Sequence, residues 1–292
     1  YGGIMSVRNN EDRLGHREPS DSSPVPQAQQ AAQSSPFSFV VPTEFVTLPS
    51  KGKYYPEGHP LHGVEVIEVS HMTAKEEDIL TSKSLLRKGV AIDRLLQSVI
   101  VDKRVDPNGL LIGDKNAIIV ATRIHAYGED YETKVTCPAC GTTSNYGFDL
   151  SQIGFDFEED LSLFEGVVEQ KDSNYVITLP KTKVKVEAKL LTGQDEKNLS
   201  EAAAMKRKHN LPESPLTDQF RAMIVSVNGN ADPAYINSFI EAVPAKDSRF
   251  LRSVYEKIVP NIDMSQQFSC NNCGYDTAME VPLSAGFFWP GQ

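Results

Sequence analysis

The chain has 292 residues, of which 40% are hydrophobic, so it is long enough for one large or two medium domains with a buried core. Its 29 Lys and Arg against 39 Asp and Glu give a formal net charge of −10, which argues against a protein whose main task is to grip nucleic-acid phosphates. The longest apolar runs fall far short of the roughly 20 residues that span a bilayer, and no secretion signal opens the sequence, so neither membrane insertion nor export is expected.

Residues 1–36 are predicted to be a disordered N-terminal arm. The arm has almost no apolar side chains, and its Ser, Pro and Gln content cannot bury enough surface to offset the entropy of ordering it. If the arm is ordered, the natural cause is a neighbouring molecule on which it folds. From Phe37 the pattern changes to alternating apolar and polar residues, which predicts that the folded part begins there.

Residues 37–151 are predicted to form a first α+β unit. Its elements, in chain order, are strands at 37–41, 44–48 and 64–69, a helix opened by a capping box at Thr73, helices over 90–101 and 114–127, and strands at 131–136 and 142–150. A loop rich in Pro and Gly, residues 49–63, is expected on the surface. Its two histidines, His59 and His62, could form a metal pair, but two ligands alone favour an ordinary surface loop.

An acidic linker over residues 152–172 is predicted to precede a second, helix-rich unit over residues 173–284. The predicted elements of this unit are a strand at 176–180 and helices over 195–209, 216–227, 233–242 and 247–259. The order of elements repeats that of the first unit, and residues 186–196 can be laid over residues 67–77 without a gap. Repetition of this kind is typical of a duplicated structural unit.

All four cysteines lie in two matching motifs, one in each predicted unit. The motifs are Cys137-Pro-Ala-Cys140-Gly141 and Cys270-Asn-Asn-Cys273-Gly274. A tetrahedral zinc ion in a ribbon needs two such turns, each offering two sulfurs, so we predict one structural Zn²⁺ bound by all four cysteines. Neither turn can close the shell alone. The predicted fold is therefore α+β, with an internally duplicated strand-helix-half-ribbon unit joined by a shared four-cysteine zinc ribbon near a pseudo-twofold axis.

Redox-active dithiols and plain disulfides are the alternatives for these cysteines. A thioredoxin-type CxxC lies at a helix N-terminus, whereas both motifs here are followed by Gly and a strand-like segment, which favours zinc. Cysteines kept for metal fit a reducing compartment, so a cytoplasmic setting is predicted. The sequence contains no GxSxG, HExxH, Walker-type or GxGxxG motif, so no enzymatic activity is predicted.

The C-terminal tail, residues 285–292, places two phenylalanines and the single tryptophan next to one another. Aromatic side chains at a chain end need a place to be buried. Two alternatives stay open for Phe287, Phe288 and Trp289: docking on the protein's own sheet, or insertion into a neighbouring molecule.

Three short segments carry a resemblance to a known family. They are Leu48-Pro-Ser-Lys-Gly-Lys-Tyr-Tyr-Pro-Glu-Gly-His-Pro-Leu61, Leu191-Thr-Gly-Gln-Asp-Glu196, and the first CxxCG followed by Asn145-Tyr-Gly-Phe-Asp-Leu150. In this order, over roughly residues 40–285, the chain resembles the baseplate hub proteins of T-even-like contractile-tail bacteriophages.

The resemblance implies a non-enzymatic structural or assembly subunit of the tail baseplate hub. Such a protein is made in the cytoplasm of the infected host and is carried into the virion or acts during viral assembly. The implied partners are other phage baseplate and tail proteins, bound through the arm, the tail and surface loops, with no small-molecule substrate. The zinc prediction rests on the cysteines alone, because members of the family need not carry them.

Two other classes of function remain to be weighed. A zinc-ribbon nucleic-acid or transcription-associated module would bind DNA or RNA with a steep salt dependence. A CxxC oxidoreductase would need thiols that titrate near neutral pH and react without metal.

Overall fold

A computed structural model describes residues 41–155, 160–170, 173–282 and 287–288 of the chain. The predicted arm, most of the strand predicted at 37–41 and most of the aromatic tail lie outside these described residues. The described part is a mixture of helices and strands, as the predicted α+β class requires. None of its helices combines the length and the apolar character needed to cross a membrane.

The first half begins with an antiparallel pair of strands, β1 (Thr43–Thr47) and β2 (Val66–Ser70). Val46 and Ile67 lie opposite each other and point into the core, while Phe45 on the other face is exposed. The helices that follow are α1 (Ala74–Thr81), α2 (Lys83–Lys88), α3 (Ala91–Val99) and α4 (Ile112–Tyr127). The strands β3 (Asp130–Thr136) and β4 (Thr143–Asp149) then form an antiparallel hairpin.

The capping box predicted at Thr73 is confirmed, because the Glu76 carboxylate accepts a hydrogen bond from the Thr73 backbone N–H at 3.0 Å. Helix α3 lies within the predicted range but ends at Val99. The chain leaves the helix there because Ile100 pairs with Val69 of β2 as an isolated bridge. A contact with a strand that is distant in sequence therefore sets this helix end.

The second half contains a four-stranded antiparallel sheet with the order β6-β7-β8-β9. Its strands are β6 (Val167–Glu169), β7 (Tyr175–Thr178), β8 (Lys185–Ala188) and β9 (Ile224–Val227), and a separate pair joins β5 (Gly154–Phe155) to β10 (Ile262–Asp263). The helices are α5 (Gly193–Lys208), α6 (Pro215–Met223), α7 (Pro233–Ala242) and α8 (Ala245–Ile258). A last hairpin joins β11 (Ser265–Ser269) to β12 (Asp276–Glu280).

The helix predicted over 216–227 is wrong at its C-terminal end. Residues 224–227 form β9, which pairs with β8 at the edge of the sheet. This short apolar run fits a buried strand as well as a buried helix by periodicity alone, and its β-branched Ile224 and Val227 favour the strand. The predicted linker also contains regular structure, because β6 lies within residues 152–172.

A buried aspartate in the first turn of a helix ties down the loop after a strand in each half. In the first half, the Asp114 carboxylate accepts hydrogen bonds from the backbone N–H and the hydroxyl of Ser50 at 3.0 and 2.6 Å. In the second half, the Asp247 carboxylate accepts hydrogen bonds from the backbone N–H groups of Lys181 and Thr182, both at 2.9 Å. Each helix is thereby fixed to the strand pair of its own half.

The two carboxylates differ in their electrostatics. Burial raises the pKa of Asp114 in spite of its hydrogen bonds from Ser50 and Tyr55. Burial has the same direction of effect on Asp247, but the hydrogen bonds from Thr182 and Lys181 outweigh it and lower the pKa. Asp247 is therefore ionised at neutral pH and makes charge-assisted hydrogen bonds.

We expect Asp247→Ala to lower the free energy of unfolding by about 2–4 kcal/mol, because it removes the three hydrogen bonds that the buried carboxylate accepts from Lys181 and Thr182. Urea unfolding followed by circular dichroism measures the loss. Asp276→Ala removes an exposed carboxylate from β12 and is the matched control, with an expected change within about 0.5 kcal/mol. Equal stability of the two variants would contradict the assigned role of Asp247.

Candidate metal centre

Each CxxCG motif forms the turn of a β-hairpin, and the two turns are closed in the same way. In the first, the backbone N–H of Cys137 donates to the Thr142 carbonyl at 2.9 Å, and the N–H of Gly141 donates to the Cys137 carbonyl at 2.9 Å. In the second, the N–H of Cys270 donates to the Tyr275 carbonyl at 2.9 Å. The matching turns point both cysteines of each motif to the same side.

The glycine that ends each motif is required by the shape of the turn. Gly141 has a φ of 72° and Gly274 a φ of 69°, in the left-handed region that residues with a Cβ rarely adopt. The N–H of Gly274 donates to the Cys270 carbonyl at 2.8 Å and so closes the second turn. The backbone conformation of the turn thus explains why each motif ends in glycine.

The structure brings all four predicted sulfur ligands together. The four Sγ atoms lie within 4.8 Å of one another, so the cluster could hold a metal ion. The Sγ atoms of Cys137 and Cys273 are 3.8 Å apart, and those of Cys140 and Cys270 are also 3.8 Å apart. A tetrahedron with Zn–S bonds of about 2.3 Å has edges of about 3.8 Å, so the arrangement fits a four-thiolate zinc shell.

The thiols have divergent ionisation properties. Hydrogen bonds from Thr142 lower the pKa of the Cys140 thiol to about 6. The Tyr275 backbone N–H lowers the pKa of Cys273, but the neighbouring thiols, Cys140 first, outweigh it and raise that pKa to about 12. Backbone hydrogen bonds from Cys273 and Asn272 also lower the pKa of Cys270, so ionisation is favoured at Cys140 and Cys270 and is resisted at Cys273 by the neighbouring thiols. A divalent cation bound by four thiolates removes that resistance.

Polar contacts join the two hairpins around the sulfurs. The Asn272 side-chain amide donates to the Thr142 hydroxyl at 3.0 Å and to the Cys140 sulfur at 3.7 Å. The Gln266 amide donates to the Asp149 carbonyl at 2.6 Å and accepts from the Asp149 N–H at 3.1 Å. Hydrogen bonds of Asn272 and Gln266 therefore hold the two hairpins together in addition to the cysteine cluster.

An aromatic contact also joins the two hairpins. The Tyr146 ring lies 5.0 Å from the Phe268 ring, centroid to centroid, and its hydroxyl donates to the Gln267 carbonyl at 2.8 Å. No sequence motif places Tyr146, Gln266 or Asn272 in this site. Asn272 lies inside the second CxxCG motif, but no sequence pattern predicts that its amide reaches the other hairpin.

The histidines predicted as a possible metal pair lie away from the sulfurs and help to order their own loop. The His59 ring stacks on the Tyr55 ring with centroids 4.5 Å apart. Nδ1 of His62 lies 2.6 Å from the Tyr55 carbonyl oxygen. Among the described residues, the four cysteines form the candidate metal cluster, and neither histidine belongs to it.

Phe287 and Phe288 are buried against the protein's own fold. The Phe287 ring meets the Tyr131 ring edge-on at 5.0 Å, and its carbonyl accepts a hydrogen bond from the buried Arg123 side chain at 2.8 Å. Of the two alternatives for the aromatic tail, internal docking therefore applies to these two phenylalanines. Trp289 lies outside the described residues.

Comparison with known proteins identifies one family. A family model described as T4 bacteriophage base plate protein matches residues 41–289. The match includes both CxxCG motifs and the buried phenylalanines. No curated protein and no solved structure matches the chain.

Removal of one sulfur ligand should release the metal and destabilise the protein. We expect Cys137→Ser and Cys270→Ser each to bind less zinc than the wild type and to lose at least about 3 kcal/mol of stability, because each opens the coordination shell. Atomic absorption on the purified protein and thermal unfolding with and without a chelator measure both effects. A wild-type protein that contains no zinc after purification in zinc-supplemented buffer would contradict the assignment.

The Asn272 amide should tune the affinity of the site without being a ligand. We expect Asn272→Ala to weaken zinc binding by about 10–100-fold, because the hydrogen bonds to Cys140 and Thr142 are lost. Competition with a chromogenic chelator measures the affinity. Asn271→Ala changes the same residue type one position earlier, where the side chain is exposed, and should leave the affinity unchanged.

Proposed function

The chain belongs to the T4 bacteriophage base plate protein family, and from this premise we propose that it is a structural or assembly subunit of the hub of a contractile tail baseplate. The observation that carries the proposal is the family match over residues 41–289, which covers all of the described part of the chain. The family places the protein in the virion tail. We further propose that it is made in the host cytoplasm, where the hub is built.

We propose that one structural zinc ion locks the two halves of the protein together. The sulfur spacing and the matched closure of the two turns support zinc, and a four-thiolate shell would supply binding energy without an open position for catalysis. Cys137 and Cys140 would hold the ion from the first half, and Cys270 and Cys273 from the second. The contacts of Asn272 and Gln266 pre-position the two turns for that shell.

We propose that the two halves are copies of one unit, spanning residues 37–151 and 173–284. Three parallels support a common design: the two CxxCG hairpins, the capping boxes at Thr73 and Thr192, and the buried aspartates at the starts of α4 and α8. The hairpin pairs also keep the same register, since Thr136 pairs with Thr143 and Ser269 pairs with Asp276. The number of positions from Thr136 to Ser269, and from Thr143 to Asp276, equals the number from Cys137 to Cys270.

We propose a non-enzymatic role for this protein. Asp114 is a buried carboxyl group with a raised pKa, a property often found in active sites. Its oxygens accept hydrogen bonds from Ser50 and from the Tyr55 hydroxyl, at 2.7 Å in the latter case. Because these bonds hold the loop after β1, the carboxylate serves the fold. The protein would act by binding other baseplate and tail proteins through its arm, tail and surface loops.

The proposal is tested in phage particles. We expect mass spectrometry to find the protein in purified tails or in tail-assembly intermediates, and a phage carrying Cys270→Ser to yield at least about tenfold fewer complete tails because the lock is open. A phage carrying Asn271→Ala is the control. Absence from both tails and intermediates would overturn the proposal, and DNA binding that weakens steeply with salt would favour the nucleic-acid module instead.

A further inference from the structure

One edge of the β1–β2 sheet is exposed. The Leu48 N–H donates to the Glu65 carbonyl and the His71 N–H to the Pro42 carbonyl, so the even-numbered residues of β1 direct their backbone groups towards β2. The backbone groups of Thr43, Phe45 and Thr47 therefore point to the opposite edge. Among the described residues, nothing pairs with that edge. Unpaired strand edges are templates for an added strand.

An apolar groove runs beside this free edge. The groove has a volume of about 280 Å³ and lies between β1, α4 and the segment that leads into β5. Its lining includes Val46, Ala117, Val120, Ile124, Ile153 and Ile262. The described residues that line it carry no charged side chain, so an added strand must present uncharged side chains to them. Phe45, which is 70% exposed, stands on the outer face of the same edge.

The second half of the molecule shows how such an edge is covered. Strand β7 corresponds to β1, since the Leu179 N–H donates to the Val184 carbonyl in the same way that Leu48 donates to Glu65. Strand β6 covers the edge of β7 that corresponds to the free edge of β1. In β6, Val167 points inward and is buried, while Val168 points outward and is 55% exposed.

The sequence before β1 matches the requirements of the missing strand. Leu48 and Leu179 differ by 131 in number (179 − 48), and the same spacing places Pro36 at the position of Val167 and Phe37 at that of Val168. The Val167 N–H points away from β7 and donates to Phe164, so a proline at the corresponding position loses no bond to β1. Phe37 would lie opposite Phe45.

The connection favours a strand from another molecule. Strand β6 reaches β7 through a turn in which Ser173 adopts a φ of 63°. The corresponding connection before β1 is Val40-Val41-Pro42. Valine rarely adopts positive φ, and a residue before proline is restricted to extended conformations. Pro42 still pairs with the strand end of β2, since its carbonyl accepts the His71 N–H at 2.9 Å. These residues disfavour a hairpin and favour a strand that continues straight.

We propose that the free edge of β1 and its groove bind residues 36–39 of a second copy of this chain, in a reciprocal strand exchange. With the register of β6 on β7, Phe37 of each copy pairs with Phe45 of the other, and Ser38 pairs with Glu44. The twofold axis passes through Val41, so every contact is made twice. The inference rests on strand registers and does not depend on the proposed function.

Cysteine pairing tests the exchange directly. Ser38→Cys and Glu44→Cys are made in separate full-length chains, mixed in zinc-supplemented buffer and oxidised mildly. The two positions form a non-hydrogen-bonded pair, whose Cα separation of about 4.5 Å allows a disulfide. We expect a covalent dimer in the mixture and in neither variant alone. No dimer in the mixture would overturn the proposal. A chain that carries both substitutions and closes an internal disulfide, while the mixture gives no dimer, would likewise overturn it.

Association in solution provides the second measurement. We expect the wild type to sediment as a dimer and Phe45→Asp to raise the dimer dissociation constant at least about tenfold, because it places a charge opposite Phe37. Met205→Asp changes another exposed apolar side chain, on α5, and should leave the dimer intact. Zinc content reports that each variant is folded. A monomeric wild type, or equal effects of the two variants, would overturn the proposal.

Discussion

The structure depends on one geometric constraint: two turns that are distant in sequence must meet closely enough to bring four sulfurs within 4.8 Å of one another. Cys137 and Cys273 are separated by 136 positions, yet their Sγ atoms are 3.8 Å apart. A misplacement of a few tenths of an ångström would strain metal–sulfur bonds. All the elements between the two hairpins must therefore pack into a defined arrangement before the four sulfurs can meet.

The surrounding contacts explain how that precision is reached. Each hairpin is held by its own ladder of backbone hydrogen bonds, and the two are joined by the Tyr146–Phe268 contact and the Gln266–Asp149 exchange. The helices α4 and α8, which lead into the two hairpins, are each anchored by a buried aspartate. Each of these helices is fixed at its start by an aspartate, and the hairpin that follows it is fixed to the other hairpin. The positions of the cysteine turns are therefore restricted.

The sequence predicted the parts of this structure that local chemistry determines. The capping box at Thr73, the helices α3, α4 and α7, and the strands around Cys137 follow from side-chain periodicity and turn residues, which act over a few positions. Strand β9 and the end of α3 at Ile100 could not be predicted, because pairing with distant strands decides them. The role of Asn272 escaped for the same reason, since its partners belong to the other hairpin. Sequence alone predicted the ligands of the candidate site but not the contacts that place them.

The anchoring of Phe287 sets an order in time for the making of this protein. Arg123 is fully buried, and its guanidinium donates to the carbonyls of Phe287, Gly128 and Asp130 without an acidic partner in these contacts. During synthesis the ribosome delivers Arg123 long before Phe287, and it delivers Cys137 long before Cys273. The nascent first half must therefore wait, with one Arg123 donor unpaired and an open pair of thiols, until nearly all of residues 1–288 have emerged. A chain interrupted before residue 270 therefore lacks two of the four sulfurs and the Phe287 carbonyl that accepts from Arg123.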